Sequence, residues 1–317
     1  MKETIQLILK GMSMGVAEVI PGVSGGTLAF ITGIYERLLS CINAFNPSLI
    51  VTYKKEGFKG VWTQVDGFFL IKLLLGMAIG FLIGLKIIVG LLASHPVHIW
   101  SFFFGLIIAS APLIARQVNK WRWLEVFCLL VGFVLVYWIT IAAPSQGSDH
   151  LVIVFFSGIL GVSALLLPGL SGSFVLLLLG MYTIIMPAIQ RFTQHPFGPE
   201  LWIVLIFGLG MIVGLFTFSK VLGYTFKKYP NPTLALLTGF LLGSLNKVWP
   251  WQQVLSMRIN SKGEEVIQFS QSVLPQTFDN LSSNPIYGTN PYLFESMGLM
   301  VLAVVLIFIL DKFSPSS

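Results

Sequence analysis

Pro21-Gly22-Val23-Ser24-Gly25-Gly26-Thr27 interrupts an apolar run near the start of the chain, and a reduced copy, Pro168-Gly169-Leu170-Ser171-Gly172-Ser173, interrupts another in the second half. Proline removes a backbone donor, glycine admits conformations closed to other residues, and serine or threonine caps the helix that begins anew. Each stretch therefore predicts the bend of a broken helix. At membrane depth the freed N–H groups need partners, and a helix N-terminus rich in glycine amides and hydroxyls suits an anion. The candidate oxyanion ligands are Ser24, Gly25, Gly26 and Thr27 in the first bend and Ser171, Gly172 and Ser173 in the second.

The surroundings of these bends are those of a polytopic membrane protein. Only 10% of the residues are charged, 55% are hydrophobic and the mean hydropathy is +0.85, whereas a soluble domain carries roughly 25% charged residues. Lys2 and Lys10 bracket too short an apolar run for a cleavable signal, so the N-terminus is expected to belong to the mature fold. Cys41 and Cys128 sit apart in apolar surroundings and read as core thiols, and no metal-ligand or cofactor motif appears. The net charge of +6 is spread over loops that flank apolar segments. That distribution has a topological explanation and excludes nucleic acid as a partner.

The pattern divides the chain into two halves. In residues 1–145, arms 5–20 and 24–44 form a re-entrant hairpin (5–44), a charged stretch 46–66 follows, and spans are expected at 67–94, 98–115 and 123–143. In residues 146–317, arms 151–166 and 171–189 form the second hairpin (151–189), with spans at 201–226, 233–249 and 292–311. Loop 250–291, rich in Ser, Asn, Gln and Pro, is either a small cap or a mobile excursion. The fold class is all-α and polytopic, with two repeats of one hairpin and three spans each.

The halves align by eye. At an offset of 147, Gly11, Ala17, Pro21, Gly22, Ser24, Gly25, Gly33 and Tyr35 meet identical residues; at 134, so do Gly76, Met77, Gly80, Lys86, Pro96, Gly105 and Ser110. The shorter second offset fits an insertion in 46–66. Three crossings separate the bends, so the second repeat is expected to be inverted. Lys2, Lys54, Lys55, Lys59, Arg116, Lys120, Arg122, Lys227, Lys228 and Lys312 fall on one side of this topology, and the positive-inside rule makes that side cytoplasmic, with both termini. Loop 250–291 is then extracytoplasmic, and the bends are expected to meet near mid-membrane, as in secondary transporters.

Charged residues inside apolar segments add candidates. Lys86 and Lys220 occupy matching positions ten residues before Pro96 and Pro230, about 15 Å from a helix end and deep in the bilayer. They are expected to contact the anion, with snorkelling to headgroups as the alternative. Arg37, beside Glu36, is expected at the cytoplasmic interface as a salt bridge or a headgroup contact. Glu18 lies three residues before Pro21, about 4.5 Å along the helix from the bend. An anion arriving beside it favours its protonated form, which makes it the candidate for proton coupling; pairing with Lys10 or acceptance from nearby backbone are the structural alternatives. Gly76, Gly80 and Gly84, with Gly210 and Gly214 in the copy, are expected to let helices approach closely. His95, His98, His150 and His195 read as loop residues facing solvent.

Residues 15–29, Gly-Val-Ala-Glu-Val-Ile-Pro-Gly-Val-Ser-Gly-Gly-Thr-Leu-Ala, with Gly-Ile-Tyr-Glu at 33–36, resemble the first signature of the bacterial polyprenyl-phosphate (undecaprenyl-phosphate) transporter family. Leu-Pro-Gly-Leu-Ser-Gly-Ser-Phe at 167–174 and Gly-Met-Tyr at 180–182 are similar to its second. The resemblance covers essentially the whole chain. It implies a protein of the bacterial cytoplasmic membrane that returns undecaprenyl phosphate from the outer to the inner leaflet, with the polyprenyl-phosphate lipid and the bilayer as its partners. The chain departs from the pattern at Thr183, where a carboxylate is expected, and has Leu165 where the first copy has Glu18. Two rivals remain: a carrier or channel for a small soluble anion, which the same donors would serve, and an undecaprenyl-pyrophosphate phosphatase, which uses similar re-entrant motifs. Against an enzyme, neither motif carries an arginine beside its serine, and no histidine falls in an expected site.

Overall fold

The computed structural model describes residues 2–19, 24–195, 198–259, 263 and 265–313. Pro21, Gly22 and Val23, the middle of the first bend, lie outside the described residues. The first half forms α1 (Lys2–Glu18), α2 (Gly25–Ile31), α3 (Tyr35–Ala44), α4 (Ser48–Gln64), α5 (Gly67–Ser94), α6 (Pro96–Ala115) and α7 (Trp123–Ile141). The second forms α8 (Leu151–Leu166), α9 (Gly172–Leu178), α10 (Tyr182–Gln194), α11 (Leu201–Lys228), α12 (Pro230–Ser244), β1 (Gln252–Ile259), β2 (Glu265–Ser272), α13 (Pro275–Asp279) and α14 (Leu293–Phe313).

Four of these helices, α5, α6, α7 and α11, are long and apolar enough to cross a membrane, and α9 with α10, bent by 115°, makes a fifth if taken as one span. Phe68, Leu82 and Trp138 on α5 and α7 are more than 60% exposed, and apolar side chains over such faces require lipid rather than water. The chain is a multi-pass membrane protein. The expected span at 233–249 is shorter in the structure: α12 has 15 residues, because the chain turns after Ser244 and reaches Pro250, which cannot extend a helix.

Both hairpins carry a second break. Gly33 (φ 73°) ends the turn between α2 and α3, and its repeat partner Gly180 (φ 68°) does the same between α9 and α10. Left-handed backbone is accessible to glycine without the clash a Cβ would cause, so the arms expected as continuous helices are each split. The charged stretch 46–66 is also helical. It forms α4, kinked at Gly57 (φ 64°, ψ −159°), with the Trp62 ring tilted against Phe58 at 5.7 Å and edge-on to Phe68 at 5.6 Å.

The glycine positions pack as the spacing predicts, and the packing repeats. A methyl on Gly76 or Gly80 would stand 2.3 Å from the Ile8 carbonyl oxygen or 2.0 Å from that of Met12, so α5 lies directly against α1. In the copy, a methyl on Gly210 would stand 2.1 Å from the Phe155 oxygen, and one on Gly214 2.9 Å from that of Ile159, setting α11 against α8. Phe155 and Ile159 stand 147 residues after Ile8 and Met12, the offset that aligns the sequences.

The chain forms two compact units, residues 1–88, 149–176 and 199–230 in one and 89–148, 177–198 and 231–317 in the other. Each draws on both sequence halves, so the halves 1–145 and 146–317 are not themselves the compact units. The first holds the α1/α5 and α8/α11 pairs. The second holds α6 against α14, where Gly105 meets Met300, and α7 against α12, where Gly239 meets Leu129.

Within loop 250–291 the structure departs from the all-α expectation. β1 and β2 pair antiparallel from Gln252↔Ser272 to Ile259↔Glu265. The hairpin is tied down by Trp249 Nε1 donating to the Val273 carbonyl (2.8 Å), Trp251 Nε1 to that of Pro291 (2.8 Å), and Asn284, which accepts from Val254 N (3.0 Å) and donates to Gln252 O (2.9 Å). Phe278 is fully buried and burial pushes the Tyr287 phenol up. Of the two readings of this loop, the small folded cap is the one adopted.

Candidate functional site

α1 ends at Glu18 and α2 starts at Gly25, with Ser24 as its N-cap in extended backbone (φ −116°, ψ 142°). Three of the first N–H groups of α2 already have partners. Gly25 N donates to Glu18 Oε1 (2.7 Å), Gly26 N to Ser24 Oγ (3.1 Å) and Thr27 N to the Ser24 carbonyl (2.9 Å). The place expected for an external oxyanion is thus occupied by the protein's own carboxylate. Glu18 accepts from backbone, and Lys10 donates instead to the Thr32 carbonyl (2.7 Å), so the Glu18–Lys10 pair does not form.

The second bend docks onto the first within the same compact unit. Ser24 Oγ donates to the Leu165 carbonyl (2.9 Å), Gly169 N, in left-handed backbone (φ 85°), donates to Thr27 Oγ1 (3.0 Å), and the Tyr35 hydroxyl donates to the Leu166 carbonyl (2.5 Å). These bonds satisfy backbone groups that the α8 C-terminus and the bend leave without helical partners. Ser24 and Thr27 are each 1% exposed, whereas Ser173 is exposed and shares a 2.8 Å hydroxyl contact with the buried Ser171. Tyr35→Phe, which leaves the Leu166 carbonyl without this donor, is expected to cost about 1–2 kcal/mol, read as a lowered thermal midpoint in detergent; an unchanged midpoint would show that the hydroxyl does not hold the bends together.

A groove of about 520 Å³ opens between α3 and α11, lined by Glu36, Ser40, Asn43, Lys220, Tyr224 and Lys227 among others. The two helices are joined there by a reciprocal pair, Asn43 Nδ2 donating to the Ser219 carbonyl (2.9 Å) and Ser219 Oγ to Asn43 Oδ1 (3.0 Å). A methyl on Gly223 would stand 2.6 Å from Asn43 Nδ2, so glycine there allows the two helices to approach. Among the described residues no three His, Cys, Asp or Glu side chains converge as metal ligands.

The model of the undecaprenyl phosphate translocase-like family matches residues 14–266, which contain both bends, the groove and β1. The chain belongs to this family. It is 41% identical to the polyprenyl-phosphate transporter of Vibrio cholerae over 306 residues, 96% of each chain. It is 32% identical to the polyprenyl-phosphate transporter of Staphylococcus aureus over 266 residues, 77% of this chain and 85% of that one. No solved structure matches the chain.

In this member of the translocase-like family, the first-bend candidates Ser24 and Thr27 meet the second bend at Leu165 and Gly169, Glu18 meets Gly25, and Ser171 and Ser173 at the start of α9 contact each other. Gly172 packs so that a methyl would stand 2.5 Å from the Gly161 carbonyl oxygen. Lys220 lies in the α3/α11 groove, Lys86 on the exposed face of α5. Arg37 forms the expected salt bridge, but with Asp66 at 2.7 Å rather than Glu36, and its guanidinium covers the Phe69 ring at 4.4 Å. Two features of this translocase-like chain escape a reading of the sequence. The Tyr35 hydroxyl bond was signalled only by the Tyr35/Tyr182 repeat. Arg258, on β1, stands with its guanidinium 4.8 Å from the Tyr182 ring centre, and nothing local to either residue announces the contact.

Proposed function

We propose that the protein translocates undecaprenyl phosphate from the outer to the inner leaflet of the bacterial cytoplasmic membrane, recycling the lipid carrier with movement coupled to the proton gradient through Glu18. The observation that carries this reading is the pair of interlocked bends, with a carboxylate already seated on the N-terminal amide of α2. The headgroup phosphate takes the place of the Glu18 carboxylate at Gly25, with Ser24, Gly26 and Thr27 on one side and Ser171, Gly172 and Ser173 on the other. Glu18, displaced beside an anion, takes up a proton. The isoprenoid tail stays in lipid, so the path needs to be polar only for the headgroup. Lys220 and Lys86 supply mobile positive charge as the headgroup moves, and Arg37 contacts it at the cytoplasmic interface. The residue-by-residue recurrence of the α1/α5 packing in α8/α11 supports two repeats, 1–145 and 146–317; in this reading they are inverted and rock about the bends, and the distribution of Lys and Arg over the loops puts both termini in the cytoplasm. The 41% identity to a polyprenyl-phosphate transporter supports the substrate class.

The test is purified protein in liposomes carrying headgroup-labelled undecaprenyl phosphate, following the leaflet of the label with time. Movement faster than in protein-free vesicles is expected, and equal rates overturn the reading. Uptake of inorganic phosphate without lipid would instead identify a small-anion carrier, and release of phosphate from the pyrophosphate form an enzyme. Ser173→Ala is the sharpest substitution, because this hydroxyl is exposed and does not bind the facing bend. Loss of one hydrogen bond to a charged group is worth about 1.5–3 kcal/mol, so transport is expected to fall roughly tenfold or more, with the thermal midpoint lowered only by loss of the Ser171 contact. Wild-type transport would remove Ser173 from the headgroup path.

A further inference from the structure

The β-hairpin carries a cation, Arg258, stacked on an aromatic ring of the second signature. Arg258 projects from β1 over the face of Tyr182, guanidinium carbon 4.8 Å from the ring centre. Its Nε is buried and has no hydrogen-bond partner among the described residues, and no carboxylate there forms an ion pair with it. Stacking orients a guanidinium and removes water from its face, but it leaves the buried, in-plane Nε–H of Arg258 without an acceptor among the described residues. A partly desolvated, unpaired charge is costly, and an oxyanion in the plane of the fork offsets that cost with charge-assisted hydrogen bonds. The platform is rigid: the Trp249, Trp251, Gln252 and Asn284 bonds anchor the base of the strand that carries Arg258. Tyr182 belongs to the second signature and directly follows the break at Gly180 and Met181. The signature itself contains hydroxyls and amides but no cation.

We propose that Arg258, stacked on Tyr182, is a phosphate-monoester binding residue that receives the lipid headgroup at the extracytoplasmic side, and that the β-hairpin exists to position it. This rests on the translocation reading given above. The folded cap 250–291 thereby contributes a headgroup contact from outside both motifs.

The experiment measures binding of geranylgeranyl phosphate, a short polyprenyl monophosphate, to purified full-length protein in detergent, by the rise in thermal midpoint and by titration across ionic strength. Geranylgeraniol and inorganic phosphate serve as separate arms. Wild-type protein is expected to bind the lipid phosphate and not the alcohol; inorganic phosphate competing at similar concentration would mean that the site reads the phosphate alone. Arg258→Gln is expected to weaken lipid-phosphate binding roughly tenfold and to flatten its salt dependence. Arg258→Lys, which keeps the charge and the apolar stem but loses the planar fork, is expected to fall between the two and carries the test if the Gln variant is unstable. Wild-type affinity and salt slope in either folded variant overturn the proposal while leaving translocation intact. Failure of the wild-type protein itself to bind any polyprenyl phosphate would overturn the translocation reading instead.

Discussion

Gly80→Leu is expected to prevent assembly of the helical unit that carries both bends. A single methyl at this position would already stand 2.0 Å from the Met12 carbonyl oxygen and 2.6 Å from the Met12 Cα. The obstacle is backbone, which cannot rotate away as a side chain can, so α1 would have to separate from α5 along its whole contact. Overpacking of a close interface costs roughly 1–3 kcal/mol for added methylenes and more when backbone must move. In a membrane, where close van der Waals contact is a main force between helices, separating α1 also shifts Glu18 and the start of the first bend. The measurement is the yield of monodisperse protein after extraction and its thermal midpoint. Gly208→Leu on α11 is the matched control, since a Cβ there meets nothing within 4 Å. If Gly80→Leu extracts and melts like the control, the α1/α5 contact is not as close as described. The repeat adds a second arm: Gly214→Leu, facing Ile159 in the copy, is expected to fail in the same way.

Glu18→Gln is expected to abolish accumulation driven by a pH gradient while leaving the protein folded and able to bind lipid phosphate. The geometry makes this substitution clean. Glu18 Oε1 accepts from Gly25 N at 2.7 Å, and a glutamine carbonyl oxygen can accept the same bond, so the first bend keeps its shape. What glutamine cannot do is exchange a proton as the phosphate arrives and leaves. Downhill movement between leaflets should therefore continue, and acceleration by an imposed gradient should vanish. Glu18→Ala differs in kind: it strands a buried N–H, at a cost of about 1–3 kcal/mol, and is expected to lower stability as well. Wild-type response to the gradient in Glu18→Gln would show that the carboxylate only caps α2.

Much of this protein is legible in its sequence because the information is local. Long apolar runs predict spans, and α5, α6, α7 and α11 lie within a few residues of where hydropathy puts them. Proline, glycine and serine at 21–27 and 168–173 mark where helices stop and restart, since each acts on its own backbone or its nearest neighbours. The second breaks at Gly33 and Gly180 were less legible, because a single glycine in an apolar run is compatible with a helix until its φ is known. The stretch 46–66 reads as a polar connection because Lys54, Lys55, Glu56 and Lys59 interrupt its apolar residues, and Ile50, Val51, Tyr53 and Phe58 remain exposed on the helix α4 that forms there.

The sequence by itself determined a membrane protein built twice around two glycine-serine bends, with a carboxylate in only one of them. The tertiary structure decided which groups meet. That Ser24 reaches the Leu165 carbonyl, that Thr27 receives Gly169 N, that Glu18 rather than an external anion occupies the amide of Gly25, and that Arg258 covers Tyr182 are contacts between residues that propensity and periodicity treat independently. The same holds for the compact units, which pair helices from both halves. Helix placement follows from the transfer of each segment into lipid, a sum over its own side chains, whereas helix pairing depends on whether two particular backbones can approach to within a carbonyl's reach. Glycine spacing permits that approach without naming the partner, and only the folded arrangement supplies it.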